Sequence, residues 1–404
     1  MAALQKTPIA AVAIAAVASL VGIGGFSPNA HAACTPSGTT LNCTGNITGD
    51  LFFDGFQDTS GSYTTYNFFD ITDPVPIQPQ FDSGIYIQSP TDATDLVVTT
   101  DAAILTTSAN AISLDVLDGF ITLENSGDLT SSNAGIYVFS KENTTPGVSG
   151  ALVTNHGDIA ADASGLWARA TEGDVTVINT GDITAAGNAI VVQTAGNAFV
   201  TNSGDLSGGS AVLARGVGTN DVTLQSGTAN GSTYGVRFES GTTNTLNNSA
   251  TLSGGILAVI GAGGDDTVNN DGTINGSVNL GAGTNAFNNL FGGTFRPTHS
   301  VSLGAGNKFT NAGTLSPGGT GTAQVTTVTG DFEQTGTGTF AVDVDEGAAT
   351  EADRINVSGT AAFAGTILPN VIALTSETGE VTIATASALT STATVTDVGG
   401  YDFS

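Results

Sequence analysis

Positive charge is the scarcest feature of this sequence. Its 404 residues hold 8 Lys and Arg against 36 Asp and Glu, a formal net charge of −28. Such a surface repels nucleic acid and anionic membrane, which excludes both as partners. Cysteine is almost missing too. Cys34 and Cys43 are the only two, and the stretch "CTPSGTTLNC" fits neither a CxxC redox motif nor a zinc spacing. Helical periodicity is absent, and beyond the N-terminal segment no apolar run is a credible membrane helix. Yet 40% of the residues are hydrophobic, too many for a disordered acidic polymer. The chain therefore folds, with an exterior made mainly of Ser, Thr, Asn, Gly and Asp.

The first 32 residues read as a signal peptide. Lys6 supplies a basic start, "IAAVAIAAVASLVGIGGF" an apolar run, and Ala30-His31-Ala32 a small-x-small cleavage site, so cleavage is expected between Ala32 and Ala33. An uncleaved anchor is the alternative, because the run at 9–26 is just long enough to cross a thin bilayer. Lipidation at Cys34 is disfavoured by His31, which stands where a lipobox wants an aliphatic residue. In an oxidising compartment Cys34 and Cys43 are expected to form a local disulfide, worth about 2–3 kcal/mol for so short a loop.

The body of the chain is a repeat. "NSGDL" at 125, "NHGDI" at 155, "NTGDI" at 179 and "NSGDL" at 202 open the series, and Asn248, Asn270 and Asn311 continue it. The two long gaps read as double periods, with Asn289 as a worn copy in the second. Two residues before each Asn stand Leu123, Val153, Val177, Val200, Leu246, Val268 and Phe309; four after it stand Leu129, Ile159, Ile183, Leu206, Leu252, Ile274 and Leu315. Around these columns apolar and polar residues alternate with period two, and a third strand follows at Ile136, Leu166, Ile190 and Val212. A period near 20–25 residues with about three short strands predicts an all-β, right-handed parallel β-helix of about fifteen coils. The Asn is expected to be structural: it suits a left-handed turn conformation, and stacked amides can bond up and down a ladder.

The coils, the signal peptide, the early Cys pair and the tail together resemble the passenger domain of an autotransporter, the type V secretion class of Gram-negative bacteria. The tail carries the most specific part: "GAGGDDTVNNDGTINGSVNLGAGTNAFNN" at 261–289, "GAGNKFTNAGTLSPGG" at 304–319, "TGDFEQTGTGTFAVDVD" at 329–345 and "ADRINVSGTAAFAGTI" at 352–367. The resemblance spans about 34–370 and departs from the family in ending at Ser404 without the alternating strands of an outer-membrane barrel. It implies export to the cell surface, outer membrane or medium, a translocator barrel as partner, and an adhesive or structural role toward a host cell, a neighbouring cell or another copy. The expected organisation is a signal peptide at 1–32, an N-terminal cap and Pro/aromatic region at 33–94, β-helix repeats at 95–320 and a stem region at 321–404.

Chemistry is thinly signalled. His156 lies at a position where sister copies carry Ser126, Thr180 and Ser203, which makes it a variable turn residue, and no nucleophile-type Ser turn accompanies it or His299. Asp128, Asp158, Asp182 and Asp205 are repeat-column residues, so catalytic carboxylate pairs for a polysaccharide hydrolase or lyase, the alternative function, find no distinct signature. No catalytic residue and no cofactor are expected. Calcium is the one metal the pattern leaves open, because "GAGGDDTVN" at 261–269 keeps Gly264, Asp266 and Val268 of a calcium-binding nonapeptide but puts Ala262 where Gly belongs. Residues 54–91, with Pro74, Pro76 and Pro79, break the repeat and read as a cap or a protruding loop. The candidate binding strip lies in the third strand, where alternation turns Tyr137, Trp167, Val191 and Leu213 outward, with Arg237 next.

Overall fold

The computed structural model describes residues 33–44, 56–60, 63–69, 83–89, 95–142, 149–375 and 379–397. The signal segment with Ala32, and Pro74, Pro76 and Pro79, lie outside the described residues. Ala33 opens the strand Ala33–Ser37. Among the described residues there is no helix, and the strands form two long sheets whose pairings are parallel after the first.

Each coil contributes three strands because the apolar columns demand three inward faces. The first ladder holds the strands that end in the repeated Asn, such as Phe120–Asn125, Gly150–Asn155, Val175–Asn179 and Ala198–Asn202. The second holds Leu129–Ser131, Ile159–Ala161 and Ile183–Ala185; the third holds Ile136–Lys141, Leu166–Ala170 and Ile190–Thr194. The second and third ladders fuse into single strands at Leu206–Gly216 and Thr228–Phe238, with a register shift between Gly208 and Ser210, and separate again at Thr251–Gly254 and Leu257–Ile260. The first sheet has sixteen strands; setting aside antiparallel Ala33–Ser37 leaves fifteen parallel rungs.

That antiparallel strand pairs with Thr40–Thr44 in a hairpin closed by the Cys34–Cys43 disulfide. Thr40–Thr44 then starts the parallel stack on Thr65–Phe69. The hairpin thus occupies the edge that an open first coil would expose.

The core is a set of continuous columns. Leu123, Val153, Val177 and Val200 are fully buried in register, as are Ile136, Leu166, Ile190 and Val212 on the third ladder. Toward the C-terminus the same inward position is taken by Phe287, Phe309 and Phe332, whose rings meet edge to face at 5.1 Å.

The phrase N-x-G-D-[LI] is resolved residue by residue. Asn125, Asn155 and Asn179 are buried, and each Nδ2 donates to the Oδ1 of the next Asn at 2.7 Å and to the carbonyl two residues on. The expected stacking of amides is present. The expected left-handed backbone is not, for Asp118 is the only non-Gly residue with positive φ among those described. The Asn ends a strand in ordinary conformation and turns its side chain inward, where water is absent and only another amide satisfies it. The two double gaps are real. Leu224 takes the register between Asn202 and Asn248, and Asn289 rejoins Asn270 to Asn311 through 2.8 Å bonds. The Gly is required by close approach: a Cβ on Gly181 would collide with the carbonyl of Gly157, and one on Gly157 with that of Gly127. The Asp faces outward. Asp128 Oδ1 accepts the backbone N–H of Asp158, Asp158 that of Asp182, and Asp182 that of Asp205, at 2.8–3.0 Å.

Candidate functional site

With Asn, Gly, Asp and Leu/Ile all committed to the stack, chemistry has to be sought where the repeat varies. The outward side of the third ladder varies most. Parallel pairing places Tyr137 beside Trp167, Trp167 beside Val191, Val191 beside Leu213 and Leu213 beside Arg237. The sequence-expected strip therefore exists in register on consecutive rungs. Its burial is uneven. Tyr137 and Trp167 are half-buried and meet edge to face at 5.4 Å, whereas Val191 and Leu213 are only 3% exposed despite pointing outward. The indole N–H of Trp167 is buried and has no acceptor among the described residues. The strip is thus aromatic at its N-terminal end and covered in its middle.

A second outward column runs two residues further along the same strands: Asp115, Phe139, Arg169, Gln193 and Arg215. Sequence reasoning overlooked it, although the signal was present. Arg169 follows Trp167 by two and Arg215 follows Leu213 by two, so period-two alternation puts them on the same side. Lys141, two residues beyond Phe139 on the same strand, pairs with Asp115, while Glu239 is shared by Arg215 and Arg237. Arg169 is different. Its guanidinium lies over the Phe139 ring at 4.4 Å, Lys141 Nζ lies 4.8 Å from the same ring, and Arg169 forms neither ion pair nor hydrogen bond among the described residues. Four of the chain's eight cations thus share one face.

Other titratable groups sit inside the stack. Asp353 is fully buried and accepts backbone N–H bonds from Gln324 at 2.7 Å and Asp343 at 2.9 Å. Burial pushes its carboxyl up to about 7 against the pull of those two donors, and the charge of Asp343 adds to the rise. Asp343, also buried, accepts from the N–H groups of Gly321 and Thr322 and from Asn370 Nδ2. Both carboxyls are occupied in holding the 321–324 turn and lie too deep to meet a polymer substrate.

Asp266, from the calcium-like stretch, points inward. It stands in a second buried column, in register with Asn244 and Asn220, and accepts from Asn244 Nδ2 at 2.6 Å. Its own N–H donates to Asn285 Oδ1, and its Oδ2 is buried without a partner among the described residues. Among the described residues no group of three His, Cys, Asp or Glu is placed to share a metal ion. His156 is an exposed turn residue with its Nδ1 2.8 Å from Thr180 Oγ1, beside the sister position it shares with Ser126 and Ser203.

No protein-family profile, curated protein or solved structure matches the chain.

Proposed function

We propose that this chain is the exported passenger of an autotransporter-type protein, acting at the cell surface or in the medium as an adhesive and structural rod. The supporting observation is the division of labour among its polar residues. The repeated Asn, Gly and Asp are consumed by coil-to-coil bonds, whereas the aromatic pair and half of the cations are collected on one outward face that the stack does not need. A rigid solenoid is a suitable scaffold for such a surface, because parallel rungs hold successive side chains in fixed register. The partner is a host or neighbouring cell surface, and the translocator barrel follows from the sequence resemblance.

The test uses beads coated with the purified chain and applied to cell surfaces, alongside protease treatment of intact producing cells. Trp167→Ala is expected to weaken adhesion while leaving the melting temperature nearly unchanged, and intact cells should lose the protein to protease. A lower melting temperature with adhesion intact would make Trp167 packed structure alone. Protection from protease until lysis would overturn the surface location.

A further inference from the structure

We propose that the outward face of the third ladder, from Tyr137 to Arg237, binds a carboxylate-bearing polysaccharide lying along the solenoid axis, with Arg169 as its principal anchor. The inference deepens the adhesive reading and rests on it.

A guanidinium stacked on an aromatic face presents its N–H donors at its edge, in a fork that matches a carboxylate. In a chain with 36 acidic residues an arginine would readily find an internal carboxylate, and Arg215 and Arg237 both do so at Glu239. Arg169 instead rests on Phe139 with its donors uncommitted among the described residues. The ring fixes the guanidinium plane, which lowers the ordering cost when a ligand arrives.

Two successive rungs carry Tyr137 and Trp167, whose rings suit the C–H faces of sugar rings, and the next rungs carry Gln193 and Arg215 in line with Arg169. Five rungs span about 20 Å at roughly 4.8 Å each, a narrow track that passes from Tyr137 and Trp167 onto Arg169, Gln193 and Arg215, because Val191 and Leu213 are covered. A linear polymer fits that shape, whereas a folded protein partner wants a broader patch. Charge favours an acidic polymer. On this outward face Lys141 pairs with Asp115, and Arg215 and Arg237 share Glu239, which leaves Arg169 without an acid partner among the described residues, while the chain as a whole is strongly negative. Glu142 and Glu172 flank the track at the turn, where a hydrogen bond to Glu142 raises the Glu172 carboxyl above its ordinary range. At physiological ionic strength the Debye length is about 8 Å, so distant acids are screened and the uncommitted charge of Arg169 governs a ligand in contact.

The experiment measures binding of the full chain to polygalacturonate and to its fully methyl-esterified form by calorimetry, at low and physiological salt. Binding is expected to polygalacturonate only and to weaken as salt rises. Arg169→Gln should weaken it by about tenfold or more, with Arg169→Lys intermediate because the ammonium lacks the fork. The melting temperature serves as the folding control. Equal binding of the esterified polymer, or no effect of Arg169→Gln, overturns the proposal. So does concentration-dependent self-association lost in Arg169→Gln without polysaccharide binding, which would make the face a contact between copies. Cell adhesion that survives Arg169→Gln alongside absent polysaccharide binding removes this inference and leaves the adhesive reading standing. Polysaccharide binding without any cell adhesion does the reverse.

Discussion

Replacing Asp266 with Asn should stabilise the solenoid, and should do so only above acidic pH. Asp266 is 1% exposed and sits in a column of amides. In the equivalent position Asn220 Nδ2 donates to the Ser240 carbonyl at 2.8 Å, and Asn285 Nδ2 to the Leu303 carbonyl at 2.9 Å. Asp266 has an acceptor where those residues have a donor, and its Oδ2 shares the space beside Gly261 with the Leu280 carbonyl. A buried carboxylate oxygen with no donor among the described residues is costly when charged. Burial accordingly pushes the carboxyl from 3.8 up to about 6; the Asn244 amide opposes the rise and the charge of Asp265 adds to it.

The sign follows from linkage. Between pH 3.8 and about 6 the folded chain holds a proton that the unfolded chain has released, so stability falls as pH rises through that window and stays lower above it. A displacement of about two pH units corresponds to a ceiling of about 3 kcal/mol, at about 1.4 kcal/mol each. Asn cannot ionise and restores a donor toward the carbonyl. The expected gain is therefore near zero at pH 3.5, growing to about 1–3 kcal/mol by pH 7. Because long repeat arrays open locally rather than as one unit, the suitable assay is hydrogen exchange of the amides between 261 and 289, compared for the two proteins across pH. Equal pH slopes, or faster opening of the Asn variant at pH 7, would refute the argument.

Four further outcomes are expected. Asn179→Ala should cost about 2 kcal/mol of local stability, read by hydrogen exchange, because it takes the acceptor from one of the two Nδ2 donors of Asn155 and the donor from Asn202 Oδ1 in a dry column. Gly181→Ala should lower the melting temperature sharply, since its Cβ meets the Gly157 carbonyl, while Gly263→Ala, with nothing nearby, should leave it unchanged. Val177→Asp buries an unpaired charge in a full apolar column and should cost several kcal/mol, whereas Thr176→Asp, on the outward side, should be nearly silent in the same melt. Small-angle scattering should show a rod about 70 Å long, from fifteen rungs at about 4.8 Å, and a compact particle would contradict the coil stack.

How much of this was readable beforehand depends on what each residue repeats. The apolar columns were legible because every coil faces the same interior, so Leu123, Val153, Val177 and Val200 recur at one offset and betray their register. The Cys34–Cys43 bridge was legible from a lone, closely spaced pair following a signal peptide. The role of the Asn was half legible. Polarity argues for a turn and solvent, while strict recurrence argues for a ladder, and in a stack recurrence prevails because each amide finds its partner one coil away. The second polar column shows the limit of that rule. Ala151, Val175 and Ala198 precede Asn220, Asn244 and Asp266 at the same height, so the position changes chemical type midway and leaves no repeated letter to follow. The cationic track escaped for the opposite reason. Phe139, Arg169, Gln193 and Arg215 share nothing but their place two residues along from the strip. Residues freed from the fold need not recur, so in a solenoid the structure is written in what repeats and the candidate site in what does not.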